Sequence, residues 1–286
     1  MAAKPVCWVV VVAALVCSAA CAEQYWIRWE GDDLPEHQGW TRVWGNYQGV
    51  YHGFGAYRTL ENGILTHDSL YDPGVYDYSL IQRPGAIDPG PGESFVMEWR
   101  LRVDDVTVWD YDPSVSVYSD DAWGLTLVYG RARIYSWNES VVIPFEAGIY
   151  HDYCVISTDM RVYDLLIDGC VAHHGVFRRL VGPAEVIWGD SVQGAASRHA
   201  WDYLRFGVVR QGDLNCDGGV SFMDINPFVL ALSDPHGYME QYSSCSIYSA
   251  DCNSDGNVDF RDINAFVAIL TGEKADGRKT TARKEE

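Results

Sequence analysis

The sequence DLNCDGGVSFMD at 213–224 and the sequence DCNSDGNVDFRD at 251–262 follow one pattern. Counted from the first aspartate of each, residues with side-chain oxygens occupy positions 1, 3, 5, 9 and 12, glycine occupies position 6 and valine occupies position 8. A hard cation needs such a ring of oxygens, and the chain must turn sharply at the glycine to close it. The repeated spacing predicts two calcium-binding loops.

The expected ligands are the oxygens at positions 1, 3, 5, 7, 9 and 12 of each loop. Position 7 contributes its backbone carbonyl, position 9 a side chain directly or through water, and position 12 a carboxylate. The ligands are Asp213, Asn215, Asp217, Gly219, Ser221 and Asp224 in the first loop, and Asp251, Asn253, Asp255, Asn257, Asp259 and Asp262 in the second. The alternative is an acidic, turn-rich linker, because Asp, Asn and Gly are common in exposed loops.

The segments that follow the two loops, 224–232 and 262–270, also share one pattern. Their apolar residues recur at the i, i+3, i+4, i+7 spacing of one helical face, which predicts a short helix after each loop. These residues are Ile225, Phe228, Val229 and Leu232 in the first segment, and Ile263, Phe266, Val267 and Leu270 in the second. Two such helices bury too little apolar surface to hold a fold alone. We therefore expect the metal to supply much of the folding free energy and the metal-free module to be largely unfolded.

A calcium loop of the form D-x-N-x-D-G-x-V-x-x-x-D followed by one helix, in tandem, resembles a type I dockerin over about residues 211–272. The resemblance implies two bound Ca²⁺ and docking onto a cohesin-type module of a scaffold protein or cell-surface anchor. It also implies a secreted setting in which polysaccharides are bound or degraded. The pairs at loop positions 10 and 11, which contribute to the choice of cohesin, are Phe222-Met223 and Phe260-Arg261 here.

The N-terminus predicts secretion. Lys4 precedes an apolar run at 6–16, and small residues then lead to Ala20-Cys21-Ala22, which is typical of a signal peptide (1–22) cleaved after Ala22. The run is shorter than the roughly 20 residues that a membrane-spanning helix needs, and no later segment qualifies, so we expect no membrane span. Acylation of Cys21 is the alternative to simple cleavage.

Removal of residues 1–22 leaves five cysteines, Cys154, Cys170, Cys216, Cys245 and Cys252. An oxidising compartment favours disulfides, and Cys245 is the expected partner of either Cys216 or Cys252. Cys154 and Cys170 could pair across neighbouring strands. Zinc binding is the alternative, but no Cys-x-x-Cys pair or close His accompanies these thiols.

The composition is that of an acidic globular protein. The chain has 286 residues, a formal net charge of −19 and 21% charged residues. The segment 211–272 holds nine acidic residues and one basic residue, a net charge of −8 that two Ca²⁺ would reduce to −4. Such charge disfavours nucleic acid and anionic membranes as partners. Residues 273–286 are mixed in charge and poor in large apolar groups, so a disordered tail is expected.

The segment 23–210 has the pattern of short strands. In Phe95–Val103 large apolar residues alternate with mostly polar ones, which predicts a strand with one buried face and one wet face. Asn62-Gly63 and Asp168-Gly169 accept the positive φ of hairpin turns and separate such runs. We predict a mainly β fold: a two-sheet antiparallel jelly-roll sandwich over 23–210, followed by a small α-helical calcium-loop domain over 211–272.

Segments of this β region resemble the concanavalin A-like jelly roll of laminin-G-type and lectin modules over about residues 25–210. They are Glu61–Leu65, Tyr163–Gly169 and Trp201–Gly207. The resemblance implies either a sugar-binding module or a glycoside hydrolase, because a fold does not by itself decide function.

Glycosidic cleavage needs two carboxyl groups that flank the bond. Hydrolases of this fold often carry Glu-x-Asp-x-x-Glu on one strand, and no such string occurs here. Glu93 and Glu98 come nearest, but their odd separation places them on opposite faces of the strand. We expect Glu98 to be a solvated partner of Arg100 or Arg102.

Two further groups of polar residues are candidates for catalysis or metal binding. Asp120-Asp121 is more often a turn or a structural metal contact than a catalytic pair, and His173-His174 points to opposite faces of a strand, which argues against a shared metal. No catalytic residue is therefore predicted.

Aromatic residues favour carbohydrate binding, because their rings pack against the apolar faces of sugars. The first part of the sandwich is rich in them: Trp40, Trp44, Tyr47, Tyr51, Tyr57, Tyr71, Tyr76 and Tyr78. The alternative is a role in the core and the turns. We predict a secreted, calcium-binding modular protein that docks onto a cohesin-type partner and presents a lectin-like sandwich to a polysaccharide. A glycoside hydrolase, or a surface adhesion protein with a structural calcium cap, are the alternatives.

Overall fold

The computed structural model describes residues 26–42, 58–68, 70, 80–82, 87–106, 113–119, 122–180, 184–189 and 197–272. Strands dominate the region before residue 211. They are β1 (Trp26–Trp29), β2 (Thr41–Arg42), β3 (Arg58–Glu61), β4 (Ile64–Asp68), β5 (Leu80–Gln82), β6 (Glu93–Val106), β7 (Ser114–Ser119), β8 (Ala122–Tyr129), β9 (Arg133–Ser136), β10 (Val141–Pro144), β11 (Tyr150–Ser157), β12 (Val162–Ile167), β13 (Cys170–Val176), β14 (Ala184–Gly189) and β15 (Ser197–Arg210).

The strands form two antiparallel sheets packed face to face. Sheet A has the order β13-β12-β11-β6-β15-β4-β3, with β1 also paired to β15, and sheet B has the order β10-β9-β8-β7-β14-β5-β2. The prediction of a mainly β, two-sheet antiparallel sandwich is confirmed. Two predicted hairpins are confirmed as well: Asn62-Gly63 joins β3 to β4 and Asp168-Gly169 joins β12 to β13, with positive φ at all four residues.

The sandwich core is a continuous apolar layer between the sheets. Phe95, Met97, Trp99, Leu101 and Val103 alternate along β6 and are fully buried in it, as the period-two pattern predicted. Four tryptophans from other parts of the chain complete the layer around them: Trp29, Trp40, Trp188 and Trp201. Trp40 contacts Trp188 and Phe206, so it is a core residue.

The outer face of β6 differs from the prediction of a wet face. Val96 and Glu98 are buried, because the C-terminal module packs against this side of sheet A. Val96 forms a second apolar cluster with Cys154, Ile156 and others, and Tyr248 of the module packs against this cluster. The first half of β6, which looks half-exposed in sequence, is therefore buried on both faces, whereas the outer face from Arg100 onward stays partly exposed.

The module, residues 211–272, contains three short α-helices. These are α1 (Ile225–Ser233), α2 (Pro235–Gln241) and α3 (Asp262–Thr271). The helices predicted after each loop are present as α1 and α3, whereas α2 was not predicted. The apolar face predicted for them divides in two. Phe228 and Phe266 stack in the module core at 4.1 Å between ring centroids, but Val229 and Val267 are exposed.

The structure shows which of the described cysteines pair. Cys216 and Cys245 form a disulfide, which ties the segment between the loops to the first loop. The predicted Cys154–Cys170 pair is wrong, because these residues lie on β11 and β13 with β12 between them, and both are free thiols. Cys252 is a buried free thiol.

Three sequence expectations concern the chain ends and one internal pair. The signal peptide at 1–22, the tail at 273–286 and Asp120-Asp121 lie outside the described residues. None of the helices in the described ranges is long and apolar enough to cross a membrane.

Candidate calcium loops and the adjoining cleft

The two loops have the same backbone course. Position 4, Cys216 in loop 1 and Ser254 in loop 2, lies in the left-handed region with φ of 55° and 59°. Position 6, Gly218 and Gly256, follows with φ of 93° and 82°, where glycine is favoured. The turn that the sequence pattern required at position 6 is therefore present in both loops.

The first aspartate of each loop is held by the glycine at position 6. Gly218 N–H donates to Asp213 Oδ2 and Gly256 N–H donates to Asp251 Oδ2, each at 3.0 Å. Asp213 Oδ1 is buried and accepts no hydrogen bond among the described residues. A buried carboxylate oxygen without a donor is costly, and a cation supplies what is missing.

The last aspartate closes each loop through backbone donors. Asp224 accepts from the N–H groups of Leu214 (2.8 Å), Asn215 (3.1 Å) and Ser221 (2.8 Å). Asp262 accepts in the same way from Asn253 (3.1 Å) and Asp259 (2.9 Å). Both carboxylates are fully buried, so position 12 fixes the loop shape as well as offering oxygens.

The middle positions repeat a second set of bonds. Position 3 accepts from the N–H of position 5, and position 5 accepts from the N–H of position 7. The distances are 3.0 Å for Asn215–Asp217, 3.1 Å for Asp217–Gly219, 2.8 Å for Asn253–Asp255 and 3.0 Å for Asp255–Asn257. All twelve residues predicted as ligands thus belong to two loops of the same design.

Position 9 differs between the loops. Ser221 Oγ accepts from Met223 N–H at 3.1 Å and caps the following helical turn. Asp259 accepts from Arg261 N–H at 2.7 Å and is also ion-paired with the Arg261 guanidinium at 2.7 Å. This hydrogen-bonded pairing lowers the pKa of Asp259. In both loops position 9 therefore accepts from the N–H of position 11, and in loop 2 it is in addition ion-paired with Arg261 of the same loop.

The buried carboxylates at positions 1 and 12 of the two loops form no ion pair among the described residues, whereas Asp255 and Asp259 are paired with Arg261. Burial, reinforced by Asp224, raises the pKa of Asp213 to about 6, and burial, reinforced by Asp262, raises the pKa of Asp251 to about 7. Burial also raises the pKa of Asp262. Each loop therefore concentrates negative charge that two protons or one divalent cation would neutralise.

The donor chemistry fits Ca²⁺ better than a softer metal. No three His, Cys, Asp or Glu side chains in the described ranges stand close enough together to hold a metal by themselves. A calcium loop instead supplements its carboxylates with amide, hydroxyl and backbone carbonyl oxygens, and these residue types occupy the remaining positions. In such a loop the ion would neutralise the buried carboxylates.

A cleft of about 1020 Å³ lies between the module and the outer face of sheet A. Its sandwich wall includes Glu30, Glu98, Arg100 and Arg205, and its module wall includes loop 2 from Gly256 to Asp259. The sequence did not indicate that these residues line one cleft, because they converge from distant parts of the chain. Only pairing register brings Arg205 opposite Glu98 and Arg100 opposite Asp152.

Glu98 corrects a specific prediction. It is buried and forms an ion pair with Arg205 at 2.6 Å; it is not a solvated partner of Arg100 or Arg102. Arg100 instead lies 3.6 Å from Asp152 and 3.5 Å from Asp202. Burial raises the pKa of Glu30, against the opposing effect of Arg205. The cleft thus contains two glutamates in different electrostatic environments.

The other candidate residues are structural where they are described. His173 contacts Glu139 at 3.2 Å and His174 contacts Asp164 at 2.5 Å, so the tandem histidines do face different partners. Glu93 accepts from Gly90 N–H at 3.0 Å and lies 3.4 Å from Arg210. Of the eight aromatic residues proposed for sugar contact, only Trp40 is described, and it is buried in the core.

Comparison with known proteins gives no family. No protein-family model matches the sequence, and no curated protein matches it. The chain is similar in structure to a β-1,3-1,4-glucanase (lichenase) derived from a mouse hindgut metagenome, with 13% identity, TM-score 0.40, and coverage of 64% of this chain and 98% of that chain. It is also similar to a carbohydrate esterase from Shiga toxin-encoding bacteriophage phi24B, with 11% identity, TM-score 0.44, and coverage of 65% and 98%.

A third similar structure is an alginate lyase of polysaccharide lyase family 7, with 7% identity, TM-score 0.39, and coverage of 54% of this chain and 83% of that chain. At identities and TM-scores this low, the likenesses carry no argument about what this chain binds or does.

Proposed function

We propose that the chain is a secreted, calcium-stabilised docking protein. Its module binds two Ca²⁺ and uses the exposed sides of α1 and α3 to bind a cohesin-type protein module. In this way it holds the β-sandwich, a carbohydrate-binding unit, at the site where a polysaccharide is bound or degraded. The proposal rests on one observation: each of the two repeats has buried carboxylates in its loop and exposed apolar side chains beside them.

The exposed apolar residues occupy equivalent positions in the two repeats. Phe222 and Phe260, at loop position 10, are 78% and 76% exposed. Behind them each repeat exposes two further aliphatic residues, Ile225 with Val229 on α1 and Ile263 with Val267 on α3. Met223 extends the surface. Large apolar side chains grouped on a helix surface favour a protein partner, because exposing them to water is unfavourable.

The chemistry of this surface indicates an apolar partner. Its one basic residue, Arg261, is already paired with Asp255 at 3.2 Å and Asp259 at 2.7 Å. The partner therefore needs apolar area to cover the phenylalanines more than it needs acidic groups to meet a cation. Binding driven in this way depends strongly on calcium, which holds the loops in place, and weakly on salt.

Capture by cohesin modules tests the proposal. Immobilised cohesins of several types are incubated with the full chain in excess calcium or in EGTA, and bound chain is quantified. We expect capture in calcium only, and a loss of roughly tenfold or more in affinity for Phe222→Ala/Phe260→Ala. Val142→Ala, at an exposed apolar position on β10, is the matched control and should bind normally. Absence of calcium-dependent capture by every cohesin would favour a structural calcium cap.

A glycoside hydrolase is the second candidate function, favoured by one observation. Glu30 and Glu98 face the same cleft, and burial raises the pKa of Glu30 while Glu98 is ion-paired with Arg205. Glycosidic cleavage uses two carboxyl groups that flank the scissile bond. Reducing-sugar release from laminarin, xylan, pectin and cellulose tests this function. Turnover lost in both Glu30→Gln and Glu98→Gln would establish it over the binding module.

A further inference from the structure

We propose that loop 2 is a calcium-dependent clamp that fastens the module to the outer face of sheet A, and that loop 1 has no such role. The inference rests on the calcium binding of the proposed function and concerns how the two ions differ. The partner of loop 2 is the chain's own sandwich.

The glycine of loop 2 is in contact with the sandwich. Gly256 is buried, and a Cβ added there would lie 3.2 Å from Asp164 Oδ2 and 3.4 Å from Val171 Cγ2, on β12 and β13. The equivalent Gly218 of loop 1 has open space at this position, with no heavy atom within 4 Å. The two loops share a backbone conformation but not an environment.

A second contact between the module and sheet A lies just N-terminal to Asp251. Tyr248, in the short helical turn before loop 2, packs on Val96, Ile156 and Val209 of sheet A. The buried Cys154 belongs to the same cluster, so its thiol lies beneath the module at this point. Cys154 is therefore covered by the module and not by the sandwich core.

Asp251 connects both contacts to the ion position. Its Oδ2 accepts from Gly256 N–H at 3.0 Å, and its own N–H donates to Tyr248 O at 3.1 Å. Asp251 and Asp262 are both buried carboxylates of loop 2, so removal of a cation that compensates them would disfavour the closed loop. Opening would withdraw Gly256 from β12–β13 and Tyr248 from Cys154 together.

Loop 1 joins the sandwich more loosely. Its hydrogen bonds to the sandwich, among the described residues, involve Arg210, the last residue of β15: the exposed side chain donates to Gly218 O at 3.0 Å, and the carbonyl accepts from Asp213 N–H at 3.3 Å. The N-terminal end of the module is fixed to the sandwich by Gln211 N–H to Gly92 O at 3.0 Å. It is also fixed to the region of loop 2, by Gln211 Nε2 to Ser254 Oγ at 2.6 Å and Gly212 N–H to Ser249 O at 2.8 Å. Loss of the ion from loop 1 should therefore leave the contacts of Gly256 and Tyr248 with sheet A in place.

Alkylation of Cys154 in the full chain tests the clamp. Free thiols are labelled with iodoacetamide in saturating calcium or in EGTA, and the labelled peptides are quantified by mass spectrometry. Cys170, which is exposed, serves as an internal reference that should react equally in every sample. We expect Cys154 labelling to be roughly tenfold or more faster in EGTA, and faster in calcium for Asp251→Asn than for the matched loop 1 variant Asp213→Asn.

A pair of glycine variants keeps the test decisive if Asp251→Asn does not fold. Gly218→Ala and Gly256→Ala place the same methyl group at the same left-handed φ and leave every ligand in place. Only the second meets the sandwich, so only Gly256→Ala should expose Cys154 in saturating calcium. Equal exposure in both variants, or protection in both, would overturn the clamp.

Calorimetry on the same samples separates the two proposals. If no Ca²⁺ binds, the calcium-dependent docking function fails together with the clamp. If two Ca²⁺ bind and Cys154 labelling does not depend on calcium, the clamp alone fails and the docking function stands.

Discussion

The sandwich and the module are stabilised in different ways. The sandwich buries a continuous layer of large apolar side chains between two sheets, including the fully buried Trp29, Trp99, Trp188 and Trp201. The module has a small core around Phe228 and Phe266, one disulfide, and four buried aspartates. One unit is held by apolar burial and the other depends on neutralising its own charge. Removal of calcium should therefore affect the stability of the module more than that of the sandwich.

Calcium removal should produce the largest difference between the units. At a free concentration about 1,000 times its Kd, each Ca²⁺ of the proposed pair would stabilise the folded module by about 4 kcal/mol. We expect EGTA to unfold the module, with loss of helical circular dichroism, while the β-sheet signal of the sandwich persists. Limited proteolysis should then cut within 211–272 and leave the sandwich intact. A module equally resistant to protease in EGTA and in calcium would contradict this dependence on the ions.

Truncating a side chain in the sandwich core should have the opposite effect: the sandwich should lose stability and the module should not. Leu101 is fully buried in the sandwich, and Leu101→Ala should lower the free energy of unfolding of the sandwich by about 2–5 kcal/mol in urea titrations. The heat of calcium binding to the module should be unchanged. The conservative Leu101→Met is the control and should cost less than about 1.5 kcal/mol. A large calcium-binding defect in Leu101→Ala would show that the two units do not fold separately.

The disulfide should matter only within the module. Cys216 and Cys245 are 29 residues apart, so their bond stabilises the module by about 3 kcal/mol through restriction of the unfolded chain. Cys216→Ser/Cys245→Ala should lower the midpoint of module unfolding in calcium and leave sandwich unfolding unchanged. Cys170→Ser, which removes an exposed free thiol, is the control. An equal loss of stability in both units would contradict the division.

Local patterns in the sequence predicted the elements, and long-range pairing decided the rest. Asn62-Gly63 and the inward-facing apolar residues of β6 depend on neighbouring residues, and both predictions are confirmed, whereas the predicted wet face of β6 is not. The two glycines at loop position 6 likewise adopt the predicted turns. Calcium binding itself and cohesin docking stay predictions, since they concern ligands that the chain alone does not contain.

Glu98 shows why the cleft could not be predicted. In sequence it precedes Arg100 and Arg102 on the same face of the strand, which suggested a solvated partner. In the structure the antiparallel register places Arg205 opposite it, and the module covers both. Neither the partner, which is 107 residues away, nor the cover leaves a periodic signal within the strand.

Acid should destabilise the sandwich through His199, a polar residue buried in its core. This is the smallest of the predicted effects. His199 on β15 is fully buried beside His67 on β4, with ring centroids 4.8 Å apart, and burial lowers the pKa of His199 to about 3. In the unfolded chain its pKa is near 6.5. The unfolded state therefore binds the proton first as the pH falls, so the contribution of neutral His199 is complete above about pH 6.5 and is lost progressively toward pH 3.

Between pH 7 and pH 5 this linkage should lower the free energy of unfolding of the sandwich by about 2 kcal/mol. His199→Gln, whose amide can still reach the Ser197 hydroxyl that contacts the wild-type ring at 2.8 Å, should flatten that pH dependence even if it lowers stability at pH 7. His236→Gln removes an exposed histidine of the module and should leave the slope for the sandwich unchanged. Because the comparison is between slopes measured by urea unfolding, a general loss of packing in His199→Gln cannot imitate the expected result. An unchanged slope would assign the acid sensitivity to other groups, His67 first among them.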